Sequence, residues 1–255
     1  MAKNKLKKFA EMEHIPFVFQ FPFSVLKESG FALRGNWHSE FFHNSNPIVL
    51  ELGCGKGEYT VGLARRNPDV NYIGIDIKGA RMHSGATQAL ELGLPNVAFI
   101  RTSIELLPHF FAPGEVAEIW ITFPDPQMKK VRKRLTSTRF IDLYRQVLAP
   151  GGRIHLKSDS PFLYAYTRRM ALANPQAIQV VSDTADLYAA SDVTDTPLDI
   201  HTHYENQWLQ RGLKIKYLSF NVVSPAPLTE VPDEDIPRDT YRSYSRGELE
   251  EEHLR

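Results

Sequence analysis

Three glycines and two acids occur at spacings that could hold a cationic ligand. The loop from Glu51 to Gly57 reads E-L-G-C-G-K-G, and Asp76 follows 25 residues after Glu51. Glycines at a strand-to-helix turn let the backbone approach a ligand and leave helix N–H groups available. Dinucleotide sites use G-x-G-x-x-G, whereas here the third glycine, Gly57, comes one residue early and an acid ends the strand. That carboxylate would repel a pyrophosphate and attract a cation. S-adenosylmethionine carries an ammonium and a sulfonium, so it is the predicted ligand of Glu51, Gly53 and Gly55. Asp76 is predicted to bind its ribose hydroxyls.

A second group of candidate residues begins at Asp125, which stands between Pro124 and Pro126. The two prolines restrict the backbone on either side, so Asp125 is predicted to lie on a stiff turn after a strand. Ligands of open α/β sheets bind at that edge. Six basic residues follow, with no acid from 126 to 141: Lys129, Lys130, Arg132, Lys133, Arg134 and Arg139. Many charge runs are only solvated faces, but this position favours contact with phosphate groups.

The elements that must position these residues follow from the hydrophobic pattern. Short apolar runs alternate with amphipathic stretches from 46 to 220, which predicts right-handed βαβ units. The predicted fold is α/β and Rossmann-like, with a mostly parallel seven-stranded sheet and helices on both faces. Strands are expected at 47–52, 71–77, 97–101, 116–123, 153–157, 178–181 and 214–220. Helices are expected at 58–66, 80–92 and 137–148.

The two ends of the chain differ from this middle part. Residues 1–45 are predicted to be an N-terminal arm, extended over the first 23 residues, before a domain at 46–223. Residues 224–255 contain four prolines, and the net charge of 226–255 is −5, so a loosely ordered acidic tail is predicted, with a short helix at 248–254. Removal of residues 226–255 is expected to leave cofactor binding intact.

Composition excludes several classes of protein. With 255 residues, 42% hydrophobic and 24% charged, the chain is not globally disordered. One cysteine rules out an internal disulfide and a cysteine-cluster zinc site, and without H-E-x-x-H spacing no metal site is predicted. No apolar run could span a bilayer, and the lysine-rich start lacks the features of a secretory signal, so a cytoplasmic protein is expected.

The Asp125 turn, F-P-D-P at 123–126, is followed by a lysine- and arginine-rich stretch that extends to residue 134, and this combination resembles the bacterial tRNA (guanine-N7-)-methyltransferases. These are class I S-adenosylmethionine-dependent enzymes, and the glycine loop at 51–57 belongs to the same resemblance. The resemblance covers residues 46–220. It also includes P-G-G at 150–152 followed by K-S-D at 157–159, and T-H-Y-E at 202–205, which is similar to the family's T-x-[FY]-E block. It implies methyl transfer to N7 of guanine in tRNA, expected at guanine 46 of the variable loop. It further implies a tRNA partner, no membrane and a monomer or homodimer.

The resemblance also implies roles for individual residues at the positions that match the family's motifs. The resemblance implies that Glu51 and Asp76 bind the cofactor, and that Asp125 is catalytic and also lies near it. Ser103 follows the third predicted strand, at the position that would flank the adenine, and is predicted to bind the cofactor as well. The implied substrate contacts are Lys129, Asp159, Thr202, His203, Tyr204 and Glu205. The implied RNA contacts are Lys130, Val131, Arg132, Lys133, Arg134, Leu135 and Thr136. The chain departs from the family twice: Gln127 replaces a tryptophan, and Ser103 replaces an acid near the adenine.

Several alternatives stay open on the sequence. Ser103 and Asp159 could be helix N-caps, and Asp125 could cap the turn between its prolines. Thr202 could also cap a turn, and Glu205 could be a surface acid paired with a base. The chain could methylate another RNA or a small molecule, or it could be a non-catalytic RNA-binding protein on the same fold. The last alternative predicts damage at Glu51, Asp76 or Asp125, and all three acids are present. An NAD-dependent dehydrogenase fits the glycine spacing poorly.

Overall fold

The computed structural model describes residues 2–194 and 196–241. The helices are α1 (Ala2–Glu13), α2 (Phe23–Ser29), α3 (Glu58–Arg66), α4 (Gly79–Glu91), α5 (Leu107–Phe110), α6 (Thr138–Tyr144), α7 (Pro161–Leu172) and α8 (His203–Leu209). The strands are β1 (Val18–Gln20), β2 (Ile48–Leu52), β3 (Asn71–Asp76), β4 (Val97–Arg101), β5 (Val116–Thr122), β6 (Leu148–Ser158), β7 (Ile178–Thr184) and β8 (Lys216–Val222). A π-helical segment, Trp37–Phe42, precedes β2.

The strands form one sheet in the order β1-β4-β3-β2-β5-β6-β8-β7. β2 pairs in parallel with β3 and β5, and β4 pairs in parallel with β3, whereas β7 and β8 are antiparallel. The mostly parallel α/β class is therefore confirmed. The sheet has eight strands where seven were predicted, because β1 adds a parallel edge to β4.

The chain divides into two compact units. The first comprises Met1–Thr122 and Leu143–Arg153, and the second comprises Phe123–Asp142 and Ile154–Arg255. The apolar side chains of β2, β3 and β4 are fully or almost fully buried in the core of the first unit. In the second unit, side chains of α7 and β8 such as Phe162, Tyr166 and Phe220 are fully buried. The glycine loop thus belongs to the first unit and the Asp125 turn to the second.

The prediction of an extended arm at residues 1–23 is wrong. Helix α1 occupies most of it and packs on α4, where Glu11 lies 2.7 Å from His83. The guanidinium of Arg101 stacks on the ring of Phe9 at 4.2 Å. Strand β1 has only three residues, too few for a recognisable alternation, and it is held by backbone pairing with β4.

The prediction of a loosely ordered tail is wrong for residues 224–241. Val231, Ile236 and Tyr241 are buried, and two carboxylates of the segment bind arginines of the second unit. Its prolines lack N–H groups, so side chains rather than a strand ladder hold it in place. The predicted helix at 248–254 lies outside the described residues.

Candidate functional site

The glycine loop makes a tight turn between β2 and α3. Gly53 and Gly57 adopt left-handed φ angles of 78° and 73°, which disfavour residues with a Cβ. A Cβ at Gly57 would lie 2.8 Å from the Phe99 ring, whereas a Cβ at Gly53 would meet no atom within 4 Å. Gly57 is therefore needed for packing and for its φ angle, and the backbone at Gly53 faces open space where a ligand could approach.

Asp76 fixes the glycine loop to the end of β3. Its Oδ2 accepts a 2.9 Å hydrogen bond from the Gly55 N–H, and its Oδ1 accepts one of 2.7 Å from the Lys78 N–H. The Gly53 N–H also donates to the Ile75 carbonyl at 2.8 Å. Asp76 is half-buried. Each carboxylate oxygen keeps a second lone pair, so Asp76 can still accept hydrogen bonds from a ligand.

Glu51 is buried beneath this loop and makes internal hydrogen bonds. Its Oε2 accepts from the backbone N–H of Thr60 at 2.8 Å and from the Thr60 hydroxyl, and its Oε1 accepts from the Thr122 hydroxyl at 2.7 Å. Burial raises the pKa of Glu51 to about 7, although the hydrogen bonds from Thr122 and Thr60 act in the opposite direction. Glu51 therefore joins β2, α3 and β5, and it is poised to become charged when a cation binds near it.

A cleft of about 500 Å³ in the first unit opens beside Ile77, the residue after Asp76. Ile77 is 64% exposed, which is high for an apolar side chain at a strand end. The cleft is lined by Phe9, Glu13, Gln20, Phe21, Pro22, Ile77 and Arg101. Ser103 is not among these residues. Its side chain does not cap the short helical turn after it, and its hydroxyl donates to Glu105 at 3.2 Å.

Asp125 is exposed on a turn that hydrogen bonds of the backbone hold in place. Phe123 and Gln127 both adopt φ = 49°, a strained conformation for residues with a Cβ. Oδ1 of Asp125 accepts a 3.0 Å hydrogen bond from the Gln127 N–H, and the Phe123 N–H donates to the Lys157 carbonyl at 2.8 Å. Gln127, the position of the family's tryptophan, thus helps to fix Asp125 through its backbone. The carboxylate itself is open to solvent.

Some side chains of the basic run and its neighbours are exposed to solvent, and others are buried. Lys129, Lys130, Arg132 and Lys133 are exposed, and Val131 and Leu135 are half-buried. Arg134 and Thr136 have no exposed surface. Arg134 bonds the Asp233 carboxylate at 2.7 Å, and the Thr136 hydroxyl lies 2.7 Å from that of Thr167. The side chains of Arg134 and Thr136 are therefore engaged inside the protein, and RNA contact at these two positions stays a prediction.

Asp159 is also fully buried. Its Oδ2 accepts a 2.6 Å hydrogen bond from the Tyr241 hydroxyl, and its backbone carbonyl accepts one of 3.0 Å from Lys216. Burial lowers the pKa of Lys216, partly offset by the nearby acids Asp159 and Asp239. Ser160, not Asp159, caps α7. The substrate contact of Asp159 stays a prediction, and in this structure one of its carboxylate oxygens is bonded to Tyr241.

The 202–205 block starts α8 with a capping box. The Thr202 hydroxyl accepts from the Glu205 N–H, and the Glu205 carboxylate accepts from the Thr202 N–H. Glu205 is fully buried, lies 2.8 Å from Nζ of the equally buried Lys157, and accepts from the Tyr188 hydroxyl. Burial lowers the pKa of Lys157, and Glu205 acts in the opposite direction. Only His203 and Tyr204 of this block present accessible side chains, and the substrate contacts of the buried Thr202 and Glu205 stay predictions.

Residues 2–194 and 196–241 contain neither a metal cluster nor a membrane-spanning helix. In that part of the chain no three His, Cys, Asp or Glu side chains come together as a metal site would require. No helix there combines the length and the apolar character needed to cross a membrane.

Known proteins resemble this chain over most of its length. Residues 45–218 match the sequence profile of the family described as "Putative methyltransferase". A tRNA (guanine-N(7)-)-methyltransferase of Porphyromonas gingivalis is 61% identical over 238 residues, which are 92% of this chain and 97% of the relative. One from Bacteroides thetaiotaomicron is 55% identical over 247 residues, which are 97% of this chain and 96% of the relative.

Solved structures resemble the chain at low identity. The 16S rRNA methyltransferase KamB is 17% identical, with a TM-score of 0.56 over 73% of this chain and 92% of that one. The 16S rRNA (adenine(1408)-N(1))-methyltransferase from Catenulisporales acidiphilia is 18% identical, with a TM-score of 0.53 over 77% and 96%. At these identities the likeness concerns the fold, and it supports the Rossmann-like class.

Proposed function

Because the chain belongs to the tRNA (guanine-N(7)-)-methyltransferase family, we propose that it transfers a methyl group from S-adenosylmethionine to N7 of a guanine in tRNA. The expected nucleotide is guanine 46 of the variable loop, and the product is 7-methylguanosine. One observation supports this most strongly: an exposed carboxylate on a rigid turn, Asp125, is followed directly by four exposed basic side chains. A tRNA substrate also implies a cytoplasmic enzyme.

The first unit has the features needed to hold S-adenosylmethionine. Asp76 accepts two backbone hydrogen bonds and retains lone pairs for the two ribose hydroxyls. The cleft beside Ile77 offers an apolar surface for adenine. Glu51 would supply negative potential near the open backbone of Gly53 once it is ionised, which favours a ligand with an ammonium and a sulfonium. When bound, S-adenosylmethionine supplies an electrophilic methyl group.

The second unit has the features needed to hold the RNA. N7 of guanine carries a lone pair and no proton, so its attack on the methyl group requires alignment rather than a general base. Transfer leaves positive charge on the purine. The Asp125 carboxylate can stabilise that charge and accept hydrogen bonds from guanine N1–H and the exocyclic amine. Lys129, Lys130, Arg132 and Lys133 provide contacts for phosphates, and His203 and Tyr204 are accessible for further contact.

The test is incubation of the purified protein with unmodified tRNA and S-adenosylmethionine carrying a labelled methyl group, followed by nucleoside analysis. Label is expected in 7-methylguanosine, and a matched tRNA with adenine at position 46 should remain unlabelled. Label at another atom of guanine would contradict the proposed reaction. Label in the adenine-46 tRNA would contradict the position, and label only in a different RNA would support the alternative substrate class.

A further inference from the structure

Three consecutive carbonyl groups after Asp125 are bound by two arginine side chains. Nε of Arg134 donates to the Pro126 carbonyl and Nη2 to the Gln127 carbonyl, both at 3.2 Å. Nη1 of Arg238 donates to the Met128 carbonyl at 2.6 Å. Arg238 lies 110 residues from Met128 in the chain, so the C-terminal segment supplies one of the two arginines that hold the turn.

Arg134 is itself fixed from two sides. Nη2 of its buried guanidinium bonds Oδ2 of Asp233 at 2.7 Å, and the group stacks at 3.9 Å on the ring of Tyr166. A guanidinium is a planar fork whose donors have fixed directions, so these partners determine where it holds the two carbonyls. An arginine used in this way contributes no surface charge to RNA binding.

The turn requires such support because its backbone is strained at both ends. Phe123 and Gln127, on either side of Pro124-Asp125-Pro126, are non-glycine residues with φ = 49°. Such a conformation is unfavourable for a residue with a Cβ and persists only where the surroundings enforce it. The carbonyl of Gln127 is one of the three that the arginines bind. The hydrogen bonds therefore act on the strained residue that also donates its N–H to Asp125.

We propose that Arg134 and Arg238 are positioning residues. They bind the carbonyls of residues 126–128 and thereby hold the Asp125 carboxylate in the position in which it acts on the guanine. The inference rests on the proposed function, because it assumes that Asp125 acts on the guanine. It assigns a role in the reaction to the C-terminal segment through Arg238 and Asp233. It also gives these two arginines a role different from that of Lys129, Lys130, Arg132 and Lys133, which are proposed to bind phosphate.

Arg238 gives the sharper test because it is exposed, so its replacement should leave the fold intact. Arg238→Ala is expected to lower kcat about 10-fold, with the tRNA Kd and its salt dependence unchanged. Arg169→Ala is the matched control: Arg169 also bonds the C-terminal segment, at Asp235 and Pro232, but contacts no residue of the turn through those bonds. Its kcat should equal that of the wild type.

A double-mutant cycle separates positioning from a general structural effect. In an Asp125→Asn background, Arg238→Ala should lower the single-turnover rate no further, because the group that it positions is already disabled. Asp233→Asn, which loosens Arg134, should behave in the same way. If Arg238→Ala lowered the single-turnover rate by the same factor in the wild-type and the Asp125→Asn protein, the inference would be overturned. An unchanged kcat in Arg238→Ala would overturn it as well.

Three outcomes can be distinguished. A weaker tRNA Kd with a shallower salt slope in Arg238→Ala would identify Arg238 as a phosphate contact and would also overturn the inference. A wild-type protein that forms no 7-methylguanosine would contradict the proposed function itself. An active wild type with unaffected variants would contradict only the positioning role.

Discussion

The backbone N–H of Gly55 donates a 2.9 Å hydrogen bond to Oδ2 of Asp76, and this bond joins the glycine loop to the end of the neighbouring strand. The second oxygen of the same carboxylate is bound by the Lys78 N–H. Asp76 therefore has two functions in the proposed mechanism. It shapes the loop that a ligand approaches, and it offers its remaining lone pairs to that ligand.

Asp76→Asn is expected to weaken the binding of S-adenosylmethionine about 10–100-fold, the range for losing hydrogen bonds to a charged group. The amide places a donor against one of the two backbone N–H groups and removes the charge. Isothermal titration calorimetry measures the affinity, and Asp69→Asn, at an exposed aspartate of the same unit, is the control. Equal affinities in both variants would remove Asp76 from the cofactor site.

Glu51 should make stability depend on pH in a defined window. Its pKa is about 7 in the folded protein because of burial, against about 4.3 when unfolded. Between these two pH values the folded state holds a proton that the unfolded state has lost. The contribution of Glu51 to the free energy of unfolding therefore falls as pH rises from about 4.3 to 7 and is constant outside that window. The loss amounts to about 4 kcal/mol, and Glu51→Gln should lack it.

Urea unfolding at pH values from about 5 to 8 checks this expectation. The free energy of unfolding of the wild type, relative to Glu51→Gln, should decrease up to about pH 7 and then level off. Glu91→Gln, at an exposed glutamate, should run parallel to the wild type. Parallel profiles for wild type and Glu51→Gln would show that Glu51 is already charged in the folded protein.

Local sequence patterns were sufficient to predict the helices and strands around the glycine loop. The predicted strand at 97–101 and helix at 58–66 have the observed bounds, because apolar runs, glycines and prolines act within a few residues. The same reasoning could not assign Arg134 to the interior. Its carboxylate partner, Asp233, lies 99 residues away in a segment whose composition indicated disorder. Other bases adjoin Arg134 and other acids adjoin Asp233 in the sequence, and no local pattern distinguishes a charge that will be buried.

The Arg134–Asp233 pair is expected to stabilise the second unit strongly. Asp233→Ala would leave a buried guanidinium without its carboxylate, which typically costs about 3–5 kcal/mol. Asp235→Ala removes an ion pair with Arg169 that is solvent-exposed, and it should leave stability unchanged. Thermal unfolding compares the two variants.

For the same reason, deletion of residues 224–255 should lower Tm, contrary to the behaviour expected of a loose tail. Equal Tm values for the wild type and Asp233→Ala would show that the pair contributes nothing to stability.

The four exposed basic residues after the Asp125 turn should determine the salt dependence of RNA binding. Replacement of Lys129, Lys130, Arg132 and Lys133 by Ala is expected to weaken tRNA binding and to reduce the logarithmic salt slope by about 1 for each phosphate that is no longer bound. Affinity for S-adenosylmethionine should not change. Arg65→Ala with Arg66→Ala, at exposed positions of α3, is the charge control. An unchanged slope in the fourfold variant would identify the basic run as a solvated face.

Asp125→Asn should largely abolish formation of 7-methylguanosine. Asparagine is nearly isosteric, and its side-chain carbonyl can still accept the hydrogen bond from the Gln127 N–H, so the turn should keep its shape. In the proposed mechanism, the substitution removes the charge that would face the developing purine cation and places an amide donor where guanine would also donate. Loss of one preorganised interaction of this kind typically costs about 10²–10³ in turnover. The tRNA Kd should change much less, since phosphate contacts dominate affinity. Single-turnover rates and filter-binding affinities on one tRNA separate the two quantities, and a folded variant that methylates N7 at the wild-type rate would exclude Asp125 from the mechanism.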